Sequence, residues 1–513
     1  MVNSAEWLAK CLDLCVNVYS KTDCDNEQGF AEIERLYNLL DSGKRQEIIN
    51  ILENSLESKD IIFVCSCIMA YTNIREIEDY VTDVICKAET DIETGIMYET
   101  MLRIYGKYIG YRKIRALHKK NVQMISDKLE LHYEYMPLSV RNRKRIIIAT
   151  EQILSQLHAP TKIVCEYAYV LEKMLGYEVI IVVAPSDIQL GLELWYRPRV
   201  LCSVESPTNS IDLIYRDITL RIYQVRMTEG INKYSDFFQI INEFKPYFVI
   251  NLGVLNPVAD IFSYMTNVVA IAMSTGYPVS EADILVKKGN GVDDDVNERV
   301  IAGQKCIYVA EKYPIVLTEN TDKVDYDKYD LPKDKFIISV VGNRLNDEID
   351  ADFEKVIKWA LENFPQTVVV FVGPADSILE HFNVEVGNQR VIGIEFCKEL
   401  MEFYNCVDLY LNPRRSGGGV SSVMALNAGV PVVTLPDCDV AVNVGKNYEV
   451  SDFDKMKKEI SKYINDSEYY EKQSLWARKS VEGAGLNKVN DYVKKLIDKI
   501  KCVIEESDEN DSI

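Results

Sequence analysis

The residues best suited to chemistry lie in one stretch, Leu411-Asn412-Pro413-Arg414-Arg415-Ser416-Gly417-Gly418-Gly419-Val420-Ser421-Ser422, which leads through a short helix to Gly429 and another apolar strand. Consecutive glycines let a backbone approach an anion closely, a helix start presents N–H groups that lack an intrahelical partner, and arginine adds charge-assisted hydrogen bonds. This pattern predicts a phosphate cradle built from the amides of Gly418, Gly419 and Val420, with Arg414 and Arg415 nearby and Ser421 or Ser422 capping the helix. Three other places can contribute. Gly342-Asn343-Arg344-Leu345 follows the first strand of the same region, and in a parallel sheet Arg344 can reach an anion held by the glycine loop. His158, one of four histidines in the chain, stands just before Pro160, a residue suited to the first turn of a helix; there an imidazole can donate to a phosphate or take a proton from a hydroxyl. Asp437-Cys438-Asp439 has the spacing of a divalent-ion pair, but a carboxylate turn capping the next segment is the simpler reading. The glycine loop and arginines neutralise a diphosphate without metal, so no metal or other cofactor is expected.

These residues need parallel strands to bring them together. Strand patterns run over 336–341, 367–372, 389–392, 407–411 and 430–435, with helices over 349–363 and 397–405 between them. An earlier unit has the same texture. A strand at 145–150 leads into a helix over 161–175, with Val164, Tyr167, Ala168, Leu171 and Leu175 on one stripe. Gly176 stops that helix, and a strand at 179–183 follows. More strands are expected at 247–252 and 268–273. From Ala5 to about Tyr135 the chain reads as helix after helix, with stripes such as Ile33, Leu36, Leu39 and Leu40, and Ile48, Ile49, Leu52 and Leu56. The expected class is α/β: two Rossmann-like parallel-sheet domains preceded by an all-α domain. The boundaries are 1–140 for the helical domain, 141–314 for the first α/β domain, 315–485 for the second, and 486–513 for a closing helix and acidic tail. A ligand would lie at the carboxyl ends of the strands, in a cleft between the α/β domains.

Composition narrows the partners. The net charge of −21 disfavours nucleic acid and anionic membrane, so any anion site must be local. Thirteen scattered cysteines form no regular framework, and no C-x-x-C pair is present, which suits a reduced, cytoplasmic protein. The opening residues lack the basic and apolar blocks of a signal peptide, and no apolar run approaches about 18 residues, so no membrane span is expected. The acids Asp293-Asp294-Asp295 fall in a polar loop. The helical domain has no evident chemistry of its own and suits docking or oligomerisation.

The pairing of Val341-Gly342-Asn343-Arg344-Leu345 with Ala428-Gly429-Val430-Pro431-Val432-Val433-Thr434 resembles nucleotide-sugar glycosyltransferases of the GT-B fold, group 1 type (family 4-like). The resemblance implies hexosyl transfer, as part of glycan biosynthesis, from a nucleotide diphosphate-sugar donor to an acceptor: a glycan, a lipid-linked sugar or a protein. It places Arg344, Gly418, Gly419 and Val420 on the donor diphosphate, and the positions of Asn343, Arg414 and Ser421 beside them add these three to the same site. It also puts the turn at Gly393, Ile394 and Glu395 near the nucleoside, to which the positions of Glu399 and Ser422 add further candidates; Arg344, and His158 from its own place before Pro160, are the expected catalytic residues. The chain departs from the family at one place. Where the family carries two glutamates eight positions apart, this chain has Ser416 and Met424, and methionine cannot accept a ribose hydroxyl. Ser421, Ser422 or Glu399 would have to supply that contact. An epimerase of the same fold, or a non-catalytic partner acting through the helical domain, would share most of these features.

Overall fold

The structure, a computed structural model, describes residues 3–19, 26–129, 134–151, 153, 159–184, 195–196, 210–224, 234–253, 256–273, 278–288, 303–309, 323–386, 390–415, 417–436, 438–482 and 486–511. His158, Ser416, Asp437 and Asp293 to Asp295 lie outside the described residues. The chain forms two compact units, one made of Met1–Ala310 with Leu496–Ile513 and the other of Glu311–Lys495.

The first unit begins with the helices Ser4–Tyr19, Asn26–Asn38, Ser42–Ser55, Ser58–Tyr71, Arg75–Lys87, Ile92–Tyr105 and Tyr111–Leu129. Aspartates begin two of them: Asp41 accepts from the Lys44 amide and Asp91 from the Thr94 amide, each satisfying a donor that the first turn leaves open. Their apolar stripes meet in a core around Trp7, Phe30, Leu52, Cys65 and Ile77. Leu39 departs from its expected stripe and is exposed, because the helix Asn26–Asn38 ends one residue before it.

The sheet of this unit contains β1 (Asn142–Thr150), β2 (Glu178–Val183), β3 (Ser210–Tyr215), β4 (Ile218–Gln224), β5 (Pro246–Leu252), β6 (Val268–Ile271), β7 (Ile284–Lys288) and β8 (Lys305–Val309). Their order is β3-β4-β2-β1-β5-β6-β7-β8, parallel except for the β3–β4 hairpin. Sequence alternation did not disclose that hairpin. Between β1 and β2 the described residues include the helix Ala159–Tyr169 and a π turn over Val170–Met174, a widened last turn that the apolar spacing does not encode.

One buried contact joins the helical region to the sheet. His118 of the helix Tyr111–Leu129 has Nδ1 2.5 Å from Glu99 Oε1 and Nε2 2.6 Å from Asp260 Oδ2. All three side chains are fully buried. Asp260 belongs to the short helix Pro257–Ile261 after β5, where it also accepts from the Ser280 hydroxyl and the Glu281 amide. Burial alone would lower the imidazole pKa, but the two carboxylates outweigh it and raise it to about 10.

The second unit holds β9 (Phe336–Val341), β10 (Thr367–Val372), β11 (Val391–Ile394), β12 (Leu409–Leu411) and β13 (Val432–Val433), in the order β11-β10-β9-β12-β13 and parallel throughout. Val and Ile dominate these strands because helices cover both faces, leaving no position to alternate toward water. One core packs Phe353, Ile357 and Met456 against the sheet, and the other packs Phe403, Leu426 and Tyr448.

Candidate functional site: a glycine and arginine cradle at the end of β9 and β12

Topology decides where a ligand can enter the second unit. The chain runs from β9 to β10 to β11 in one direction and then returns to β12 on the other side of β9. The strand order reverses between β9 and β12, and open α/β sheets generally take their ligands at such a switch point, outside the carboxyl ends of the strands. The register Leu409↔Ile338 and Tyr410↔Ser339 puts both strand ends at the same level. The motif at Gly342 to Leu345 and the loop after Leu411 therefore stand side by side.

Arg415 builds the floor of the cradle. Its side chain is 2% exposed and is held by Glu348 Oε2 at 2.7 Å, Asn412 Oδ1 at 2.9 Å, the Val341 carbonyl at 2.6 Å and the Tyr410 hydroxyl at 3.0 Å. Burial by itself lowers the guanidinium pKa, but Tyr410 and Glu348 more than compensate and raise it. Arg415 is thus a structural cation pinning the loop to the end of β9. A Cβ at Gly342 would overlap Arg415 Nη1, so only glycine admits this crossing.

Glu348 is shared between two arginines. Its Oε1 takes Arg344 at 2.9 Å while its Oε2 takes Arg415. Arg344 is 42% exposed, and its Nη2 lies 3.7 Å from where a Cβ of Gly417 would stand. The arginine singled out from the sequence therefore does border the glycine loop. Glu348 was not singled out, although its i,i+4 spacing from Arg344 on a helical pattern is the signal that could have found it.

The loop turns through left-handed backbone at Gly417 (φ 96°) and Gly418 (φ 79°) into the helix Gly419–Ala428. Gly418 is the N-cap and, as a glycine, has no side chain to accept from the first turn. Ser421 and Ser422, expected to cap this helix, lie inside its first turn, and their hydroxyls donate back to the carbonyls of Gly418 and Gly419 at 2.9 Å. The helix starts earlier than expected because the left-handed glycines complete the turn themselves. Gly418, Gly419 and Val420 open this helix, as the pattern required.

The remaining positions are distributed differently. Arg414 is exposed and its guanidinium lies 5.6 Å from the Phe453 ring centre. Asn343 is exposed in the turn after β9. Gly393 and Ile394 end β11, where Gly393 leaves room for Leu379; Glu395 and Glu399 are exposed in the following loop, and the Glu399 carbonyl accepts from the Tyr329 hydroxyl. Met424 is half-buried on the helix Gly419–Ala428 and packs against the core beneath it. Cys438, not an aspartate, caps the helix Asp439–Val444, its Sγ accepting from the Ala441 amide at 3.4 Å. Asp439 instead turns back to the loop, Oδ2 accepting from the Gly417 amide at 2.8 Å. Among the described residues no group of histidine, cysteine and carboxylate side chains could hold a metal ion.

No protein-family model and no curated relative matches the sequence. Solved structures do match. A mutant of the O-GlcNAc transferase from Thermobaculum terrenum superposes with a TM-score of 0.54 over 99% of this chain and 100% of that one, at 13% identity. The fold is GT-B. A helical region precedes its two Rossmann-like sheets, as expected from the sequence. A glycosyltransferase from Rickettsia africae (TM-score 0.47, 12% identity, 71% of this chain and 98% of that one) is also similar. So is HepE from Anabaena in complex with UDP-glucose (TM-score 0.48, 11% identity, 69% and 99%). In this GT-B chain the cradle belongs to the second sheet, and no helix among the described residues is long and apolar enough to cross a membrane.

Proposed function

We propose that the chain is a glycosyltransferase that binds the diphosphate of a nucleotide-sugar on residues 417–420 and Arg344 and transfers the sugar to an acceptor hydroxyl. The observation that carries this reading is the meeting of Arg344 with Gly417 at the reversal of strand order between β9 and β12. Sugar transfer leaves a nucleoside diphosphate, so the main catalytic demand is to stabilise charge growing on its terminal phosphate. Backbone amides at a helix start and one partly exposed guanidinium are suited to that task, and Arg415 holds both in place without spending its own donors on the ligand. His158 is the candidate base for the acceptor hydroxyl. The diphosphate is neutralised by protein groups, without a metal ion.

Thermal denaturation of the full chain with a panel of nucleoside diphosphates and their sugars tests the reading. At least one should raise Tm, and Arg344→Ala should lower its affinity about tenfold, the loss of one charge-assisted contact. If no compound shifts Tm, the donor reading is wrong. A non-catalytic GT-B protein is the second reading, and Met424 favours it because it removes a carboxylate from the nucleoside side of the loop. Release of free nucleoside diphosphate only when an acceptor is present would exclude both that reading and an epimerase.

A further inference from the structure

The cradle of this structure is already engaged with carboxylates of its own chain. The Gly417 amide donates to Asp439 at 2.8 Å, and the Arg344 guanidinium is 2.9 Å from Glu348. Asp439 is not needed as the cap of its own helix, since Cys438 serves there. Instead it reaches back across the loop, and its backbone is fixed for this by the Asn443 side-chain amide, which donates to the Asp439 carbonyl at 2.7 Å. Charge adds a second reason. Around the Gly417 contact, Arg344 and Arg415 are matched by Glu348 and Asp439, with Arg414 exposed beyond them as a further cation. A diphosphate brought against that balance would meet two carboxylates at close range, and unscreened repulsion at such distances opposes binding. Glu348 is buried and holds Arg415, so it cannot leave without stranding a buried guanidinium. Asp439 is half-buried at the start of a six-residue helix, so its carboxylate lies nearer to water than that of Glu348.

We propose that Asp439 is an internal anion that holds the place of the donor diphosphate, so that a nucleotide enters the cradle in exchange for the Asp439–Gly417 contact. This inference rests on the donor-binding reading above and adds its regulation: the affinity of the site is set by competition with a tethered carboxylate. Displacing Asp439 leaves Arg344 and Arg415 against Glu348 alone and returns the Gly417 amide to the ligand. The anion selected is one strong enough to outcompete an intramolecular carboxylate, which favours a diphosphate over a single weakly charged group.

The test is calorimetric titration of the full chain with pyrophosphate and with ADP, CDP, GDP and UDP, in the presence of EDTA, comparing wild type with Asp439→Asn, Asp439→Ala and the charge control Asp454→Asn. Asp454 is an exposed residue of the helix Phe453–Asn465. Both Asp439 variants should bind about tenfold more tightly than wild type, the size of one charge-assisted contact released, while Asp454→Asn stays at the wild-type value. Binding by the Asp439 variants alone would also support the inference. Equal or weaker binding by those variants, or an equal gain from Asp454→Asn, would overturn it while leaving the donor site standing. So would wild-type binding that appears only when Mg²⁺ replaces EDTA and is lost in Asp439→Asn, because Asp439 would then be a metal ligand. If neither wild type nor any variant binds, the donor-binding reading itself fails. Unchanged far-UV circular dichroism and Tm show that each variant is folded.

Discussion

His118→Ala removes an imidazolium from between two carboxylates that have no access to water. Glu99 and Asp260 lie 2.5 and 2.6 Å from its ring nitrogens, and all three side chains are fully buried. Breaking a buried ion pair by removing one partner costs about 3–5 kcal/mol, because the remaining charge stays desolvated. In a unit of this size about 1 kcal/mol moves Tm by roughly 2 °C, so the drop should be about 6–10 °C. The pH dependence provides a second reading. The folded pKa of His118 is raised to about 10, above its ordinary value of 6.5. Its stabilising contribution is therefore fully present below about pH 6.5 and lost as pH rises through about 10. Differential scanning fluorimetry of both proteins from pH 6.5 to 10 should show the gap between wild type and His118→Ala closing as pH rises. A drop below about 2 °C at neutral pH, or a gap independent of pH, would refute the charged clamp.

Other expectations concern the second unit. Glu348→Gln should cost about 3 kcal/mol in chemical denaturation, since it leaves the Arg415 guanidinium buried without its counter-charge; a loss under about 1 kcal/mol would mean that Tyr410, Asn412 and the Val341 carbonyl suffice. Gly418→Ala imposes a side chain at φ 79° with its Cβ 2.8 Å from Arg415 Nη2. It should destabilise by about 1–2 kcal/mol and weaken nucleoside diphosphate binding in the same titration. Burial raises the Asp408 pKa to about 6, with the Ile337 amide and Tyr470 opposing the shift. Its neutral form is therefore favoured by folding, a contribution present below about pH 4 and lost as pH rises through 6. Asp408→Asn should thus stabilise the protein by about 1–2 kcal/mol at pH 8 and hardly at all at pH 4 in urea denaturation.

Much of the architecture is local and can be read from residue types. Val- and Ile-rich runs such as those of β9 and β10 have no solvent face, so their boundaries, 336–341 and 367–372, are recovered as written. The glycine run, its adjoining helix and Gly429 as that helix's stop are equally legible, because left-handed backbone and orphan amides depend on near neighbours only. Short edge elements are not, since β3 and β4 gain their stability by pairing with each other and with β2 rather than from their own alternation.

The choice among polar residues needed the tertiary structure. Arg414 and Arg415 are adjacent in sequence and equivalent in chemistry, yet one lies on Phe453 in water and the other is buried beneath the loop. The sequence drew attention to His158 for its place before Pro160, whereas the buried clamp between carboxylates of two distant segments is built on His118, which no local pattern marks. The Asp437-Cys438-Asp439 turn looked like a cap for the helix that follows, and in the fold Asp439 instead binds the glycine loop. In β9, β10 and the helix after the glycine run, backbone conformation follows from residue type and near neighbours, so the sequence determined it by itself. Which charge meets which is decided where strands adjacent in space are distant in the chain, and only the folded sheet, by setting β12 beside β9, brings Arg344, Glu348 and Arg415 to one point.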